Sequence, residues 1–480
     1  MTVEPLKLRA RTKIVATVGP ACRAPERLRE LIEAGVDVFR INMAHGTRAQ
    51  HETEIADIRR ISGEVGRPVG ILVDLAGPKI RLGELFQEPT ECDMGAEYQF
   101  VRGQQATGPD VFTSNYERLI DELDIGNIVM LADGTVGMQV VGKTADSVTC
   151  RVTASGPLRS RQGINLPGAN LSVPAMTDDD WTHAEWAAGQ QVDFVSLSFV
   201  RTDVEILQLR ERLQQLGSQA LVIAKIEKRE ALENLESIVV ASDGIMVARG
   251  DLGVETDVAE MPLAQKRVIA CCRRLMRPVI VATQMLDSMT HSKRPTRAEA
   301  TDVANAILDG ADACMLSGET AVGDNPRETV EMMNRILLAT ERSLADAPAQ
   351  ELPVAAVAGV HPITTAVAFG AARIASQLFA RLVVIATRRG GTARVKSKLR
   401  DVTPTIGVSD NPVTLRQMCL YWGITPLAVP QIENDAELRR FIDVWGKDDG
   451  TLRTGDRVVF VTGSELMASA HNAVVVHEVE

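Results

Sequence analysis

Lys225, Glu227 and Asp251 have the chemistry and the spacing of a metal-assisted site. Lys225 and Glu227 are two positions apart in an apolar run, so on a β-strand their side chains share one face. Asp251 closely follows the next apolar run, which brings a second carboxylate beside Glu227 if neighbouring runs pair in a sheet. Two carboxylates completed by water and a substrate phosphate are typical of a magnesium site. Glu227 and Asp251 are therefore the predicted metal ligands, with magnesium or manganese as the cation.

A second interpretation of the same residues is structural. Lys225 could pair with Glu227, or Arg249 with Asp251, with the charges serving only the fold. Arg40, at the end of an earlier apolar run, adds another cation. Two cations beside a metal favour an anionic, phosphorylated substrate.

Polar residues also end the other apolar runs. In a barrel of parallel strands, chemistry gathers at the C-terminal strand ends. A single polar residue there is commonly a satisfied structural group, but so many at one rim predict a functional site. The further rim residues are Asn42, Asp74, Ser198, Gly250, Thr283, Gln284, Ser317 and Glu319.

The apolar runs alternate with amphipathic stretches, a pattern typical of βα units around a parallel sheet. Eight such units closing on themselves predict a (β/α)8 TIM barrel. The runs are Lys13–Val18, Val36–Met43, Val69–Leu75, Phe194–Phe199, Leu221–Ile226, Gly244–Ala248, Pro278–Thr283 and Cys314–Ser317. The predicted helices include Pro25–Ala34, Arg48–Ile61, Val204–Leu216, Arg229–Val240, Pro262–Leu275 and Pro326–Leu344.

A long interval separates the third run from the fourth. Its short alternating strands and Asp133-Gly134 turn predict a small β-barrel cap domain inserted into the barrel. An Ala- and Pro-rich stretch, 346–353, favours a linker to a C-terminal open α/β domain. Strands of that domain are predicted at Arg381–Ala386, Pro404–Val408 and Arg457–Thr462. The predicted domains are the split barrel, 1–82 and 172–341, the inserted cap, 83–171, and the C-terminal domain, 342–480.

The composition agrees with this organisation, because 480 residues suffice for about three domains. The 52 Lys and Arg against 63 Asp and Glu give a net charge of −11, without a basic run. Binding to nucleic acid or to a membrane surface needs concentrated positive charge and is not expected. The seven cysteines have no metal or redox spacing, and no apolar stretch could span a membrane, so we expect a cytoplasmic protein.

Residues Gly137–Thr144 match the phosphate-loop pattern letter for letter. That motif follows a strand and opens a helix, whereas these residues are strand-like and lead into another strand. We therefore interpret the segment as part of a β-hairpin in the cap.

Seven stretches of the chain closely resemble the pyruvate kinase family. Together with Gly163–Pro167 and the C-terminal region, the resemblance covers nearly the whole chain and implies the same architecture. It also implies transfer of the phosphoryl group of phosphoenolpyruvate to ADP, giving pyruvate and ATP in glycolysis. The stretches are Thr12–Pro20, Phe39–Gly46, Asp74–Arg81, Ala224–Lys228, Ser242–Val254, Val279–Met289 and Arg294–Ala321.

The resemblance implies a role for each rim residue. Arg40 would bind the substrate phosphate, and Lys225 would stabilise the phosphoryl group in flight. Glu227 and Asp251 would hold magnesium beside the substrate. Gly250 and Thr283 would contact the carboxylate side of the substrate. His45 and Arg81 would bind the nucleotide. Ser317 and Glu319 would deliver a proton to the enolate.

The sequence departs from the family where many members bind potassium. Asn42 and Asp74 are present, but Ala44 and Leu75 replace two oxygen ligands, and Lys79 stands where a nearby Glu is usual. A lysine ammonium about 4 Å away could supply the missing field, worth a few kcal/mol at an effective dielectric near 20. We therefore predict activity without potassium, as in Lys-bearing members. The alternative is that Lys79 is a solvated surface residue.

A predicted strand and helix of the C-terminal domain flank a candidate effector site at Thr387, Arg389, Gly390 and Thr392. Backbone N–H groups, hydroxyls and guanidinium groups there can bind an anion, and the family's sugar-phosphate pocket uses this segment. The alternative is an ordinary glycine-assisted turn. The glycine-rich loop that completes that pocket is replaced by a segment carrying Glu465, which argues against fructose bisphosphate. A phosphorylated allosteric effector and a homotetramer are what the resemblance implies.

Two rival functions remain open at this point. Another metal-dependent barrel acting on pyruvate-like enolates, an aldolase or lyase, would turn over without ADP and could use Lys225 as a Schiff base. A catalytically weak homologue could bind metabolites as a regulator, although the intact rim residues argue against it. Asp179 stands where the family commonly has a nucleotide-contacting Lys, so cation support for ADP is expected either to be weaker there or to come from another group.

Overall fold

The computed structural model of the chain describes residues 9–103, 105–169, 172–344, 361–431, 434–463 and 471–480. Its strands are β1 (Lys13–Thr17), β2 (Val38–Asn42), β3 (Gly70–Asp74), β4 (Thr90–Cys92), β5 (Glu97–Val101), β6 (Val111–Phe112), β7 (Ile128–Leu131), β8 (Val136–Lys143), β9 (Ser147–Ala154), β10 (Gly156–Leu158), β11 (Ile164–Asn165), β12 (Phe194–Leu197), β13 (Leu221–Ile226), β14 (Gly244–Ala248), β15 (Val279–Ala282), β16 (Ala313–Leu316), β17 (Leu382–Ala386), β18 (Thr405–Ser409), β19 (Ile424–Ala428), β20 (Arg457–Gly463) and β21 (His471–Glu478). Its helices are α1 (Pro25–Ala34), α2 (Arg48–Val65), α3 (Leu119–Glu122), α4 (Asp178–Gly189), α5 (Asp203–Gln215), α6 (Arg229–Glu233), α7 (Leu235–Ala241), α8 (Arg249–Glu255), α9 (Met261–Arg274), α10 (Arg297–Asp309), α11 (Gly318–Ala321), α12 (Pro326–Leu344), α13 (Pro362–Gln377), α14 (Gly391–Lys398), α15 (Pro412–Met418) and α16 (Asp435–Asp448), with a 3-10 helix at Asp287–Thr290.

The eight apolar runs predicted from the sequence form the strands of one closed parallel barrel, in the order β1-β16-β15-β14-β13-β12-β3-β2. The register pairs Arg40 with Leu72 and Lys225 with Met246. Because all neighbours are parallel, the C-terminal ends of the eight strands lie at one rim. Away from the strand ends the residues are mainly apolar, because side chains in the barrel and helices outside it bury both faces of the sheet. The predicted TIM barrel is confirmed.

The barrel helices begin and end at local sequence signals. Thr47 caps α2 by accepting a hydrogen bond from the Gln50 N–H, and Gly66 ends that helix in the left-handed conformation. The predicted helix Arg229–Val240 is two helices, α6 and α7, which meet at Asn234. The Asn234 side chain donates to the Arg201 carbonyl oxygen, an alternative to helical hydrogen bonding that asparagine commonly takes.

The insert between β3 and β12 is a β unit, as predicted. Its strands form a six-stranded sheet, β11-β7-β8-β9-β5-β6, and a two-stranded sheet, β10-β4, in place of a single closed small barrel. It has a separate apolar core around Phe100 and Phe112. The segment Gly137–Thr144 lies in β8 and its turn into β9, which confirms the hairpin interpretation.

The C-terminal part forms an open sheet, β19-β18-β17-β20-β21, in which only β21 is antiparallel to its neighbour. The three predicted runs are β17, β18 and β20. The sequence pattern missed β19, because Pro426 interrupts it and it is an edge strand. The predicted linker 346–353 and Glu465 lie outside the described residues. In the part of the chain that the structure describes, no helix is long and apolar enough to cross a membrane.

Ion pairs join the C-terminal part to the end of the barrel opposite the rim. Lys398 Nζ lies 2.6 Å from Asp312 Oδ2, and both side chains are fully buried. Arg400 lies 3.0 Å from the other oxygen of Asp312, and Arg416 Nε lies 2.7 Å from Asp193 Oδ1. Asp312 directly precedes β16, so these pairs hold the two parts together far from the rim.

We expect Lys398→Met to lower the free energy of unfolding by about 3–5 kcal/mol, because the buried Asp312 carboxylate loses its closest partner. Urea denaturation followed by circular dichroism measures the loss. Lys447→Met, at an exposed position on α16, is the control and should stay within about 0.5 kcal/mol of the parent. Equal midpoints for the two variants would contradict a stabilising role for the pair.

Candidate functional site

The polar side chains at the C-terminal strand ends, centred on Arg40, Asp74, Lys225 and Glu227, are here called the rim cluster. Arg40 and Asp74 form its first part. Arg40, near the end of β2, directs its guanidinium to Asp74 at the end of β3, with Nη2 2.5 Å and Nε 2.7 Å from Oδ2. The Arg40 Nη1 also donates to the Thr17 hydroxyl at 3.2 Å. The other Asp74 oxygen accepts from the Ser196 hydroxyl at 2.6 Å. Both side chains are held firmly, so Arg40 presents a fixed positive charge at the rim.

Lys225, on β13, lies at the centre of the cluster. Its Nζ is 2.9 Å from Glu227 Oε1 and 3.4 Å from Asp74 Oδ1, and it donates to the Ser198 hydroxyl at 2.7 Å. The second Glu227 oxygen accepts from the Phe199 N–H at 2.7 Å. The Lys225–Glu227 ion pair that the sequence left open is therefore present, within a network that also includes Arg40.

The network shifts the pKa values of its members. Burial alone would raise the pKa of Asp74, but Lys225 and Arg40 outweigh it and hold that pKa below its usual range. Burial would lower the pKa of Lys225, yet Asp74 and Glu227 keep it above the ordinary value. Burial, together with Asp251, raises the pKa of Glu227 against the effect of Lys225. Lys225 is therefore a permanent ammonium at neutral pH.

Asp251 and Gly250 lie in the first turn of α8, directly after β14. Asp251 is half-buried and, among the described residues, makes no side-chain hydrogen bond. The Gly250 N–H donates to the Thr283 hydroxyl at 2.8 Å, and Thr283 has a positive φ of 67°. Arg249 pairs with Asp302 on α10, so the alternative Arg249–Asp251 ion pair is not formed. Strain at Thr283 beside an open carboxylate is typical of a functional site.

The carboxylates fit a divalent cation. Glu227 and Asp251 come from adjacent strand ends and act on each other electrostatically, and both supply the hard oxygen ligands that magnesium prefers. In the described ranges, no group of three or more His, Cys, Asp or Glu could hold a metal. A cation here would therefore take its other ligands from water or substrate, as magnesium commonly does.

Ser317 and Glu319 follow β16 on the same rim. The Ser317 hydroxyl is buried and has no hydrogen-bond partner in the described part of the chain. Glu319, also buried, accepts from the Ser317 N–H at 2.6 Å and from the Leu286 N–H at 3.1 Å. Glu319 thus joins the β16 end to the loop after β15, and the buried hydroxyl of Ser317 is left without a hydrogen-bond partner in the described residues.

The structure does not bring His45 and Arg81 into this cluster. His45 is exposed on the loop between β2 and α2. Arg81 lies just before the insert, where its Nη1 donates to the Arg161 carbonyl oxygen at 3.2 Å. Lys79 and Arg81 line a cleft of about 430 Å³ that also includes Asp133 and Arg161. Asp179 is exposed in the first turn of α4, where an acidic residue suits the helix dipole.

The residues of the degenerate potassium site have other partners. Both Asp74 oxygens are engaged by Arg40, Lys225 and Ser196, and Asn42 Oδ1 accepts from the Ala44 N–H at 3.2 Å. Lys79 faces the insert, with its Cε 3.3 Å from where a Cβ on Gly163 would lie. Lys79 therefore forms no ion pair with Asp74 in the described residues.

The predicted effector segment connects β17 to α14. Arg389 is exposed, whereas Thr387 and Thr392 are buried. The Thr387 hydroxyl accepts from the Gly390 N–H at 3.0 Å, and Gly390 has a positive φ of 75°. Of the four predicted residues, Arg389 alone is accessible to a ligand in this arrangement.

Three cluster residues escaped the sequence reasoning. Thr17 ends β1, so the strand-end rule would have found it if applied to the first run. Ser196 lies one residue before the end of β12 but faces the same side as Ser198. The Phe199 N–H is a backbone group, for which the sequence carries no signal.

Comparison with known proteins decides what this rim belongs to. Two family models match: "Pyruvate kinase, barrel domain" over residues 9–330 and "Pyruvate kinase, alpha/beta domain" over residues 365–477. The chain belongs to the pyruvate kinase family. Pyruvate kinase 2 of Synechocystis sp. is 42% identical to it over 458 residues, which are 95% of this chain and 76% of the relative. The pyruvate kinase of Mycobacterium tuberculosis is 40% identical over 454 residues, 95% of each chain.

A solved structure agrees with the sequence relatives. The pyruvate kinase of Cryptosporidium parvum matches with a TM-score of 0.91 at 32% identity, covering 99% of this chain and 97% of the other. As a pyruvate kinase, the enzyme is a phosphotransferase that uses phosphoenolpyruvate and ADP and forms pyruvate and ATP. The family generally uses a divalent metal. Membership of the pyruvate kinase family excludes the alternative that this chain is an aldolase or a lyase.

Proposed function

We propose that this pyruvate kinase transfers the phosphoryl group at the rim cluster, with Arg40 and Lys225 as the cations that contact it. The observation that carries the proposal is the Lys225 ammonium, held within 3.4 Å of two buried carboxylates. A transferring phosphoryl group needs positioning and charge neutralisation more than covalent help. A fixed ammonium and a fixed guanidinium supply both without reorganisation during the reaction.

Glu227 and Asp251 are the proposed ligands of a magnesium ion. When bound, that ion would neutralise charge on the phosphoryl oxygens. Gly250 and Thr283, whose N–H and hydroxyl bond to each other, would exchange this bond for contacts with the substrate carboxylate. The Ser317 hydroxyl is the proposed route for the proton that the enolate receives, and Glu319 positions it.

The test is a coupled assay of pyruvate formation from phosphoenolpyruvate with magnesium, with and without ADP. We expect turnover only when ADP is present. Turnover without ADP, or trapping of Lys225 by borohydride, would contradict the proposed roles of the rim residues.

We also propose that the enzyme does not require potassium. The engagement of Asp74 by Arg40 and Lys225 supports this, since protein cations already lie where an added cation would act. Replacing potassium by tetramethylammonium should change kcat less than about twofold, whereas loss of one cation near a transferring phosphoryl group typically costs far more. Lys79→Glu should lower activity in potassium-free buffer if the Lys79 ammonium contributes to the field. Strong activation of the parent enzyme by potassium would instead favour a solvated Lys79.

We also propose which residues contact the nucleotide and where the domains begin and end. His45, exposed on the loop between β2 and α2, and Arg81, which lines the cleft beside Lys79, are the proposed nucleotide contacts. We place the domain boundaries at 82/83, 171/172 and 341/342. Pairing of Arg81 with Gly163 and of Leu82 with Ser114 supports the first boundary, since the chain joins the insert there.

We propose a homotetramer with a phosphorylated effector site at Arg389. Exposed apolar side chains at Phe379, Val444 and Val476 on the C-terminal part, and the edge position of β21, support association through that part. The exposed guanidinium of Arg389 near the start of α14 supports binding of an anion.

A further inference from the structure

A buried histidine holds the loop that carries His45. This loop, 43–47, connects β2 to α2. The ring of His51, in the second turn of α2, lies beneath it and is only 6% exposed. His51 Nε2 lies 2.8 Å from the carbonyl oxygen of His45, and Nδ1 lies 2.9 Å from Glu54 Oε2. One ring therefore bridges the loop and the helix.

The contacts determine how many protons the bridge holds. A carbonyl oxygen only accepts, so Nε2 must carry a proton. Glu54 Oε1 accepts from the Gln50 side chain at 2.8 Å, and Oε2 faces Nδ1, so a second proton lies between Glu54 and the ring. Because a histidine is more basic than a glutamate, that proton resides on His51. The pair is thus an imidazolium and a carboxylate.

Loss of the second proton would break one of the two contacts. A neutral ring has a single N–H for two acceptors, so a lone pair would face either Glu54 or the His45 carbonyl oxygen. The Glu54 carboxylate is the stronger acceptor for that N–H, because it is charged. Deprotonation therefore releases the loop rather than the helix contact.

The loop packs directly on this ring. Gly46 has a positive φ of 78°, and a Cβ there would lie 2.9 Å from His51 Cε1. The His45 N–H donates to the Asn42 carbonyl oxygen at 3.2 Å. The loop is thus fixed by β2 at one end and by the His51 ring at the other. A change in the hydrogen bonds of the ring therefore alters the position of His45.

The surroundings leave Glu54 as the counterion of His51. On α2, Arg48 is exposed. From α4, His183 faces the ring and is kept neutral, because burial and Arg48 lower its pKa; its neighbour Trp186 lies 6.4 Å from the ring centre. Cys22 lies near Glu54 and stays a neutral thiol, since burial raises its pKa to about 11.

We propose that protonated His51 is a positioning residue for ADP binding, which it supports by holding the His45 loop. The inference rests on the proposed placement of His45 at the nucleotide. Burial lowers the pKa of His51, but the bonds to Glu54 and to His45 outweigh it, so the pKa lies above its ordinary value of 6.5. Both hydrogen bonds of the His51 ring are therefore present below pH 6.5. The bond to the His45 carbonyl oxygen is lost as the pH rises through the raised pKa of His51.

The first experiment measures KM for ADP and for phosphoenolpyruvate between pH 6 and 9. In the parent enzyme, KM for ADP should rise about fivefold to tenfold across the transition, the size of one charge-assisted hydrogen bond, and KM for phosphoenolpyruvate should change less. His51→Gln should remove this difference, because an amide does not titrate in that range. His291→Gln, at an exposed histidine, is the control and should keep the parent profile.

The second experiment follows the ring itself by NMR of 13C-labelled histidine, with the signal lost in His51→Gln assigned to His51. Glu54→Gln should lower the pKa of that ring by about one unit or more and shift the KM profile for ADP equally. Identical profiles in parent and His51→Gln would overturn the inference. If the parent enzyme showed no turnover with ADP, the proposed function would fail. The NMR titration would then decide the inference: a His45 ring signal that changes as His51 titrates would support it, and an unchanged signal would contradict it.

Discussion

Lys225→Met should lower kcat about 10³-fold or more while the barrel remains folded. Methionine keeps the length of the side chain but removes the charge that would stabilise the phosphoryl group in transit. Removal of a cation of this kind commonly costs 10³- to 10⁵-fold in phosphoryl transfer. Because the ammonium acts mainly in the transition state, kcat should fall far more than KM for phosphoenolpyruvate rises. Steady-state kinetics with the coupled assay measure both.

The structure also predicts that the variant folds. Asp74 keeps Arg40 and Ser196 as partners, and Glu227 keeps the Phe199 N–H. Circular dichroism and thermal melting should therefore show a native barrel with a lowered Tm. Lys266→Met, at an exposed position on α9, provides a matched loss of one ammonium and should retain parent kinetics. Turnover of Lys225→Met within tenfold of the parent would remove Lys225 from the catalytic role.

The rim cluster illustrates how far sequence reasoning reaches. Arg40, Asp74 and Lys225 could be located because each lies at or near the end of an apolar strand, and parallel strands in a barrel must end at one rim. Their pairing could not be predicted. Asp74 seemed to be a remnant of a potassium site, whereas in the structure it anchors both Arg40 and Lys225. Strand-end spacing indicates which residues meet, but partner choice depends on side-chain directions across three strands.

Other parts of the site lay beyond the sequence for different reasons. The helix α8, which carries Asp251, has only seven residues, too few for a helical period to be visible. Lys79 could be recognised as unusual, but its direction toward the insert depends on how the insert packs against the barrel. The role of His51 required the positions of Glu54 and of a backbone carbonyl oxygen, neither of which a residue pattern specifies.

Glu227→Gln should weaken binding of Mn²⁺, a spectroscopic substitute for magnesium, by about 100-fold. The amide keeps the shape of the side chain but loses the negative charge that a hard divalent cation requires. Its NH₂ group would also face donors, since Lys225 and the Phe199 N–H occupy the two oxygen positions of Glu227. Electron paramagnetic resonance of free Mn²⁺ gives the affinity without any turnover. Asp193→Asn is the matched control, because Asp193 is another buried carboxylate paired with a cation, Arg416, at the end of the barrel opposite the rim.

The same pair of measurements separates the two interpretations of Glu227. If Glu227 were only the ion-pair partner of Lys225, the substitution would lower Tm and leave Mn²⁺ affinity unchanged, as expected for Asp193→Asn. If Glu227 is a metal ligand, Mn²⁺ affinity falls in Glu227→Gln and not in the control variant. Asp251→Asn sharpens the distinction, because Asp251 has no side-chain hydrogen bond in the described ranges and its loss should cost affinity with little change in Tm. Weaker Mn²⁺ binding in both Glu227→Gln and Asp251→Asn, with an intact Asp251→Asn fold, would identify the two carboxylates as one cation site.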